Sequence, residues 1–445
     1  MQDDAEKQKQ NEEHAPKRCR RPAIGIVTIS QPRDKQQEGD VDSQLDPGNA
    51  RNRKRPAHDC ESYAQTRERE MALSPRSFFD SETRMEVVDV AIVGGGPAGS
   101  TCAAFCAAAG LRTVLLEREK FPREKVCGDC LNPACWPVLR RLDVADRVRA
   151  SPHGRLDAVD FIAIGGRKVH VDLPIGDDSE IAIKRSLFDK LLLDRAKELG
   201  ADVREETIVT AMRKSASGNW KIDIVNEMIT ARVAVGADGR NSTVARLCNL
   251  LPRPARERVA LQSHIDLPAN FDNRVVLQFL PEGYSGQAPV NDRELNLCLV
   301  AKPRDIDALK VWAEQKFKIP PDHPWRTVTP LTRDALRPGH DALFLIGDAA
   351  RVVEPFTGEG IYYALRSGEL AADAIVKLIR GVDRQLLLRE FACAHAAMYH
   401  GRLWINRLAR ATVLSPRVGS LLVHAARAQP SLLRFLTGKI VADKP

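Results

Sequence analysis

Residues 87–119 read VVDVAIVGGGPAGSTCAAFCAAAGLRTVLLERE. An apolar run from Val87 to Val93 meets three glycines and a proline, an alanine-rich segment continues to about Ala109, and a second apolar run covers Thr113 to Glu117. The pattern predicts strand, tight turn, helix and strand, with a crossover long enough to lay the two strands parallel. Gly94, Gly96 and Gly99 fall at the G-x-G-x-x-G positions. The first allows the tight turn, the second lets a pyrophosphate approach the backbone, and the third lets helix and strand pack closely. Pro97 and Ala98 open the helix, whose first amides face the phosphates. Glu117 ends the second strand, placed to accept hydrogen bonds from a ribose diol, with Arg118 beside it. A lone glycine motif would be weak evidence; with strand, helix and terminal acid in place, dinucleotide binding is preferred to a plain glycine turn. Cys102 and Cys106 on the helix read as small core residues.

Composition bounds what surrounds this unit. The chain has 445 residues, 43% of them hydrophobic, enough for a sizeable core and for two globular domains plus a tail. Ten cysteines at irregular spacings follow a charged N-terminus, MQDDAEKQKQNEEHAPKRCRR. That argues against export and a disulfide framework and for the cytoplasm. The longest weakly charged apolar stretch, Val90 to Leu111, is broken by Gly94, Gly95, Gly96 and Pro97, so no membrane span is expected. Residues 1–84 are polar and predict a disordered tail. Their 16 basic and 16 acidic residues cancel, which leaves the net charge of +8 to residues 85–445. The clusters KRCRR and RNRKR would suit nucleic acid, but mixed signs and sparse aromatics favour a solvated tail and no nucleic-acid partner.

Further along, DAVDFIAIGGRKVHVDL (157–173) alternates apolar and polar residues around Gly165 and Gly166, a hairpin signature. RSLFDKLLLDRAKELGADV then predicts an amphipathic helix ended by Gly200. Strands are expected at Ile208 to Met212, Trp220 to Val225 and Ile229 to Gly236, with more across residues 255–300. Two later segments repeat the strand-to-turn-to-helix pattern. VAVGADGRNSTVARLC (233–248) ends a strand in Gly236-Ala237-Asp238-Gly239. ALFLIGDAARVVEPFTGEGIYYALRSGELAADAI (342–375) ends one in Gly347-Asp348, passes Pro355 and Gly358, and enters a long helix.

These three motifs, in this order, resemble the FAD-dependent oxidoreductases of the aromatic-hydroxylase fold, and within them the geranylgeranyl-reductase-like branch. The resemblance runs from Met85 nearly to the end of the chain. It implies an α/β fold: a Rossmann-type FAD-binding domain interleaved with an antiparallel-sheet substrate domain, plus C-terminal helices. The corresponding division is 85–152, 183–250 and 335–385 for the FAD-binding domain, 153–182 and 251–334 for the substrate domain, and 386–445 for the C-terminal helices. By the same resemblance Asp348 binds the ribityl hydroxyls, Asp238 helps flavin and reduced nicotinamide, and Arg185 lies close to the flavin. Gly358, Gly360 and Ile361 open a helix whose positive end points at the pyrimidine edge of the ring, favouring anionic reduced flavin. Pro355 shapes the loop beside that ring.

The stretch FPREKVCGDCLNP (121–133) has no clean helical or strand period. In the resembling family a C-G-G or C-G-D segment here forms the active-site wall, which implies that Cys127 and Gly128 approach the ring while Arg123 or Lys125 reaches its phosphates or ribityl chain. Cys130 completes a C-x-x-C spacing; without a second matching pair a zinc site is not expected. Packing cysteines are preferred to a redox disulfide.

Residues 280–300 would cover the flavin, with Tyr284 and Gln287 as candidate substrate contacts. Tyr284-Ser285-Gly286 stands where related halogenases carry a tryptophan motif, which argues against halogenation. No second Rossmann unit is evident, so NAD(P)H is expected as a transient electron donor. The expected activity is hydride reduction of a carbon-carbon double bond in a hydrophobic, isoprenoid-like small molecule. The alternative is hydroxylation of an aromatic substrate with dioxygen; a non-catalytic flavoprotein fits the intact motifs poorly. The C-terminal helices are read as capping the substrate domain, with peripheral docking on an anionic membrane as the alternative.

Overall fold

The computed structural model describes residues 87–251, 258–353, 358–400 and 415–428, all within one compact unit, Phe79–Pro445. The tail 1–84 and Pro355 lie outside the described residues.

Two sheets organise the fold. The first runs in the order Gly339–His340, Leu343–Leu345, Glu227–Gly236, Val87–Val93, Thr113–Leu116, Asp202–Arg204. Its central pairs are parallel, and the antiparallel strands Val209–Lys214 and Trp220–Ile224 extend it beside Glu227–Gly236. Strands buried on both faces must read as continuous apolar runs, as VVDVAIV and TVLL do. The helices Pro97–Ala108, Arg185–Glu198 and Gly360–Ile379 cover one face, burying Ile92, Leu115, Phe188 and Leu365.

The register brings three strand ends level. Val93 pairs with both Gly236 and Leu116, and Gly236 pairs with Leu345. Ala237 N–H donates to Val93 O at 2.8 Å and Ile346 N–H to Gly236 O at 3.0 Å. The motifs beginning at Gly94, Gly236 and Gly347, remote in sequence, therefore open on one edge. In open parallel sheets that carboxyl edge is where ligands bind.

The second sheet has the order Arg326–Val328, Val259–Asp266, Glu294–Ala301, Gly283–Pro289, Arg274–Phe279, Ala158–Ile162, Lys168–Asp172. All its pairs are antiparallel except Arg274–Phe279 with Ala158–Ile162. One face carries Leu261, Leu295, Leu297 and Leu299 against the helix Ile306–Phe317, burying Leu309 and Ala313. The other face carries Gln262, His264, Asn296, Cys298, Gly286 and Ala288, since directly paired residues share a face.

Three two-residue strands, Cys130–Leu131, Ile181–Ala182 and Gly154–Arg155, form a small sheet between these layers of sequence. The helix Pro416–Ala428 packs on the second sheet through Val423 and Gly419, and Ile164 N–H donates to Ser420 Oγ at 3.0 Å. This is a capping contact. Among the described residues, no helix is long and apolar enough to cross a membrane.

Candidate active site

The glycine turn is built for close approach. A Cβ on Gly94, whose φ is +107°, would stand 2.5 Å from Ala237 O, and one on Gly99 would stand 1.8 Å from Gly94 O. Backbone sits on both sides of these contacts, so no side-chain shift relieves them. The helix Pro97–Ala108 has Pro97 in its first turn and no side-chain cap on its leading amides, an arrangement that favours an anionic group at its N-terminus. Glu117 is buried, and its carboxylate accepts from Gly95 N–H at 2.6 Å and from Glu119 N–H at 3.0 Å. It braces the turn while keeping lone pairs for a diol.

Cations converge beside this turn. Arg185 forms a bidentate pair with buried Asp189, Nε to Oδ1 at 2.6 Å and Nη2 to Oδ2 at 2.8 Å, and Arg123 Nη1 lies 3.1 Å from the same Oδ2. Burial alone would lower the Arg185 pKa, but Asp189 and the Cys127 thiol beside it more than reverse that and raise it. Lys125 Nζ lies 3.4 Å from where a Gly239 Cβ would be. Burial, with Arg240 and Arg185 next, pulls Lys125 down to about 8 against the opposing charge of Asp348. Arg240 Nη2 reaches Asp348 Oδ2 at 3.3 Å. Arg240 Nε is buried without a hydrogen-bond acceptor. A cluster of four cations with a donor left over and a lysine held near neutrality fits a bound anion such as a pyrophosphate.

The third strand end supplies a second helix N-terminus. The 20-residue helix Gly360–Ile379 has no side-chain cap, and the space where a Gly360 Cβ would be is open to at least 4 Å. Gly347 N–H donates to Ser367 Oγ at 2.9 Å, which ties the Gly-Asp turn to that helix. The glycine cradle, the cation cluster and two uncapped helix starts along one sheet edge fit FAD.

The Cys127 loop crosses to the polar face of the second sheet. Cys127 C=O accepts from Asn296 Nδ2 at 2.8 Å and from Cys298 Sγ at 3.3 Å. Asp129, fully buried with φ +60°, holds His264 Nε2 at 2.7 Å from its Oδ2. Burial pushes the Asp129 carboxyl up, against the lowering pull of His264. Burial also pushes up the Cys127, Cys130 and Cys298 thiols, which therefore stay protonated. All three are free thiols. Gly128 faces open space. Among the described residues no cluster of His, Cys, Asp and Glu could hold a metal ion.

Other expected site residues turn their side chains to other tasks. Arg118 has a side chain 73% exposed and paired with Glu119 at 3.3 Å, away from the cation cluster. Asp238 spends its carboxylate locally, accepting from Ser242 Oγ at 2.6 Å and Val244 N–H at 3.0 Å. Ile361 is core. Tyr284 shares the polar face with Cys298 but lies further along its strand, buried among Phe279, Val300 and Val423. Gln287 is on the opposite face, donating to Ser285 Oγ at 3.2 Å, because strand neighbours alternate. It makes no substrate wall.

Sequence reasoning missed Asp189, Glu180, Gln262, His264, Asn296 and Cys298. The signal for four of them was present: polar residues two apart, Gln262 and His264 in one strand and Asn296 and Cys298 in the next, on otherwise apolar strands. Asp189 stands four residues after Arg185, one helical turn on.

Comparison with known proteins agrees with this geometry. The sequence profile of the FAD binding domain family matches residues 87–282. A menaquinone reductase of Mycolicibacterium smegmatis is 30% identical over 320 residues, covering 64% of this chain and 75% of the relative. A geranylgeranyl diphosphate reductase of Rhodobacter capsulatus is 29% identical over 338 residues, covering 70% and 81%. The solved structure of the myxobacterial chondrochloren halogenase CndH superposes with a TM-score of 0.65 at 23% identity, covering 81% of this chain and 92% of that one, a likeness of fold. The chain belongs to the FAD-dependent oxidoreductases built on this domain. It is an FAD-binding oxidoreductase, similar in sequence to both reductases and halogenases.

Proposed function

We propose that this enzyme reduces a carbon-carbon double bond of a hydrophobic, isoprenoid-like substrate, with NAD(P)H as a transient electron donor. The observation that carries the reading is the Cys127-Gly128 loop, which is clamped by Asn296 and Cys298 and presents protonated thiols and a bare glycine. A hydrocarbon tolerates such a wall, whereas aromatic hydroxylation gains from a charged group that holds a phenolate. The menaquinone and geranylgeranyl diphosphate reductases among the relatives support the same choice.

Bound reduced FAD would supply the hydride, as flavins do in other proteins. Gly94 to Gly99, Glu117, Arg123, Lys125, Arg185 and Asp348 would hold it, and the amides opening Gly360–Ile379 would favour its anionic form. The second sheet and the Cys127 loop orient the substrate and exclude water. Peripheral contact with an anionic membrane belongs to the same proposal, supported by the outward Val418, Leu421 and Leu422 of the last helix. Liposome flotation tests it; protein left wholly in the bottom fraction removes that part.

The main experiment incubates the FAD-loaded protein and NADPH with geranylgeranyl diphosphate or a menaquinone, followed by mass analysis. Products that gain two hydrogens at a carbon-carbon double bond of the isoprenoid chain, with any quinol reoxidised to quinone before the mass is read, support the proposal. A product that gains an oxygen atom replaces it with the monooxygenase reading.

A further inference from the structure

Glu180 immediately precedes the strand Ile181–Ala182, which pairs with Cys130–Leu131 of the active-site loop. A Cβ on Gly358 would stand 3.9 Å from Glu180 Oε1 and 4.0 Å from Cys130 Cβ. The carboxyl thus lies between Cys130 of the active-site loop and Gly358, just before the helix Gly360–Ile379, the two places that the proposed function sets beside the flavin. Its neighbours on the chain are committed: Asp178 pairs with Arg140 at 2.6 Å and Arg149 at 3.1 Å, Ser179 C=O accepts from Trp136 Nε1 at 3.0 Å, and Lys184 pairs with Glu294 at 2.9 Å. Among the described residues Glu180 has no hydrogen bond and no ion pair of its own.

We propose that Glu180 is the catalytic acid of the double-bond reduction, donating the proton that accompanies the hydride. This rests on the reductase reading above. The Glu180 O–H bond breaks and its proton forms a C–H bond at one olefinic carbon. The other carbon takes the hydride, the π bond breaks, and the alkene is reduced by two electrons as FAD is oxidised. The carboxylate left behind regains a proton from solvent.

The chemistry of the surroundings suits that role. Burial raises Glu180 to about 7, near the working range of a general acid. Among the described residues Cys130 is the titratable group placed against it, and Asp178 two residues upstream is already paired with Arg140 and Arg149. Burial is the one influence on Glu180, with no cation to offset it. A half-buried carboxyl without an ion partner, beside the Cys130 thiol, is costly as structure alone, since a neutral Gln would pack there without titrating.

Two measurements on the full-length protein test this. Infrared titration of the apoprotein is predicted to show a protonated carboxyl band that disappears around pH 7 and is absent from Glu180→Gln. A band unchanged in the variant, or missing from wild type in mildly acidic buffer, overturns the assignment. In single turnovers with geranylgeranyl diphosphate or a menaquinone, Glu180→Gln is predicted to slow reduction by about 100-fold or more while FAD affinity is unchanged. Glu180→Asp should recover part of the rate with a displaced pH profile. An active wild type matched by an equally active Glu180→Gln removes Glu180 and leaves the proposed function standing. A wild type inert toward both probes removes the two together.

Discussion

Asn296, on a strand of the second sheet, donates its side-chain amide to the backbone carbonyl of Cys127 across 2.8 Å. One hydrogen bond thereby ties the second sheet to the Cys127 loop, which the proposed function sets beside the flavin. Gln262 Nε2 donates to Asn296 Oδ1 at 3.1 Å, so the amide is oriented from behind. Truncation to Ala leaves the Cys127 carbonyl with only the Cys298 thiol, a weak donor. We predict that Asn296→Ala lowers turnover by about 10- to 100-fold, consistent with about 1–3 kcal/mol for an unsatisfied buried group, with FAD affinity nearly preserved. Stopped-flow reduction of substrate checks the first part and flavin fluorescence titration the second.

Asp189 is the anchor of the cation cluster. It is fully buried and serves both Arg185 and Arg123. Removing one partner of a buried pair leaves an uncompensated charge and costs about 3–5 kcal/mol. Asp189→Asn is therefore predicted to unfold at markedly lower temperature by calorimetry. Added FAD should recover part of the loss, because its phosphates replace the missing anion.

Lys125 links FAD binding to pH. In the free protein burial and the neighbouring Arg240 and Arg185 hold it near 8; a bound pyrophosphate favours the charged form and raises it again. Binding is therefore proton-neutral well below pH 8 and must take up a proton above it. FAD affinity should weaken above about pH 8 by up to about tenfold per pH unit. Fluorescence titration across that range checks the slope, and Lys125→Met should flatten it.

His395 sets an acid limit on stability. Burial first, and then the charge of Arg351, lowers it to about 4, so the folded chain resists a proton that the unfolded chain accepts near 6.5. Stability is complete above that value and is lost progressively as pH falls from about 6.5 toward 4. His395→Gln should flatten this part of a chemical-denaturation profile recorded against pH.

The parallel sheet was legible because its strands are continuous apolar runs, each closed by a glycine turn. Gly94, Gly236 and Gly347 announce the same edge, and the register aligns them. The loop at Cys127 was also legible, since its lack of period sets it apart. The catalytic surroundings were less so. Asn296, His264 and Glu180 meet Cys127, Asp129 and Cys130 only through contacts more than 30 residues apart, which no local pattern encodes. Asp238 shows the opposite failure: the motif marked it for the cofactor, while its carboxylate caps the short helix Thr243–Leu247. Arg118 was placed by its neighbour Glu117, yet it falls in the bend after the strand Thr113–Leu116 and its side chain is exposed.

The central claim is that the bound flavin passes its electrons to a carbon-carbon double bond. The most direct measurement reduces the FAD-loaded protein under strict anaerobiosis, adds geranylgeranyl diphosphate or a menaquinone, and follows flavin absorbance. Prompt reoxidation without oxygen, matched by a reduced product, is the predicted result. Flavin that stays reduced until oxygen enters, followed by an oxygenated product, would contradict it.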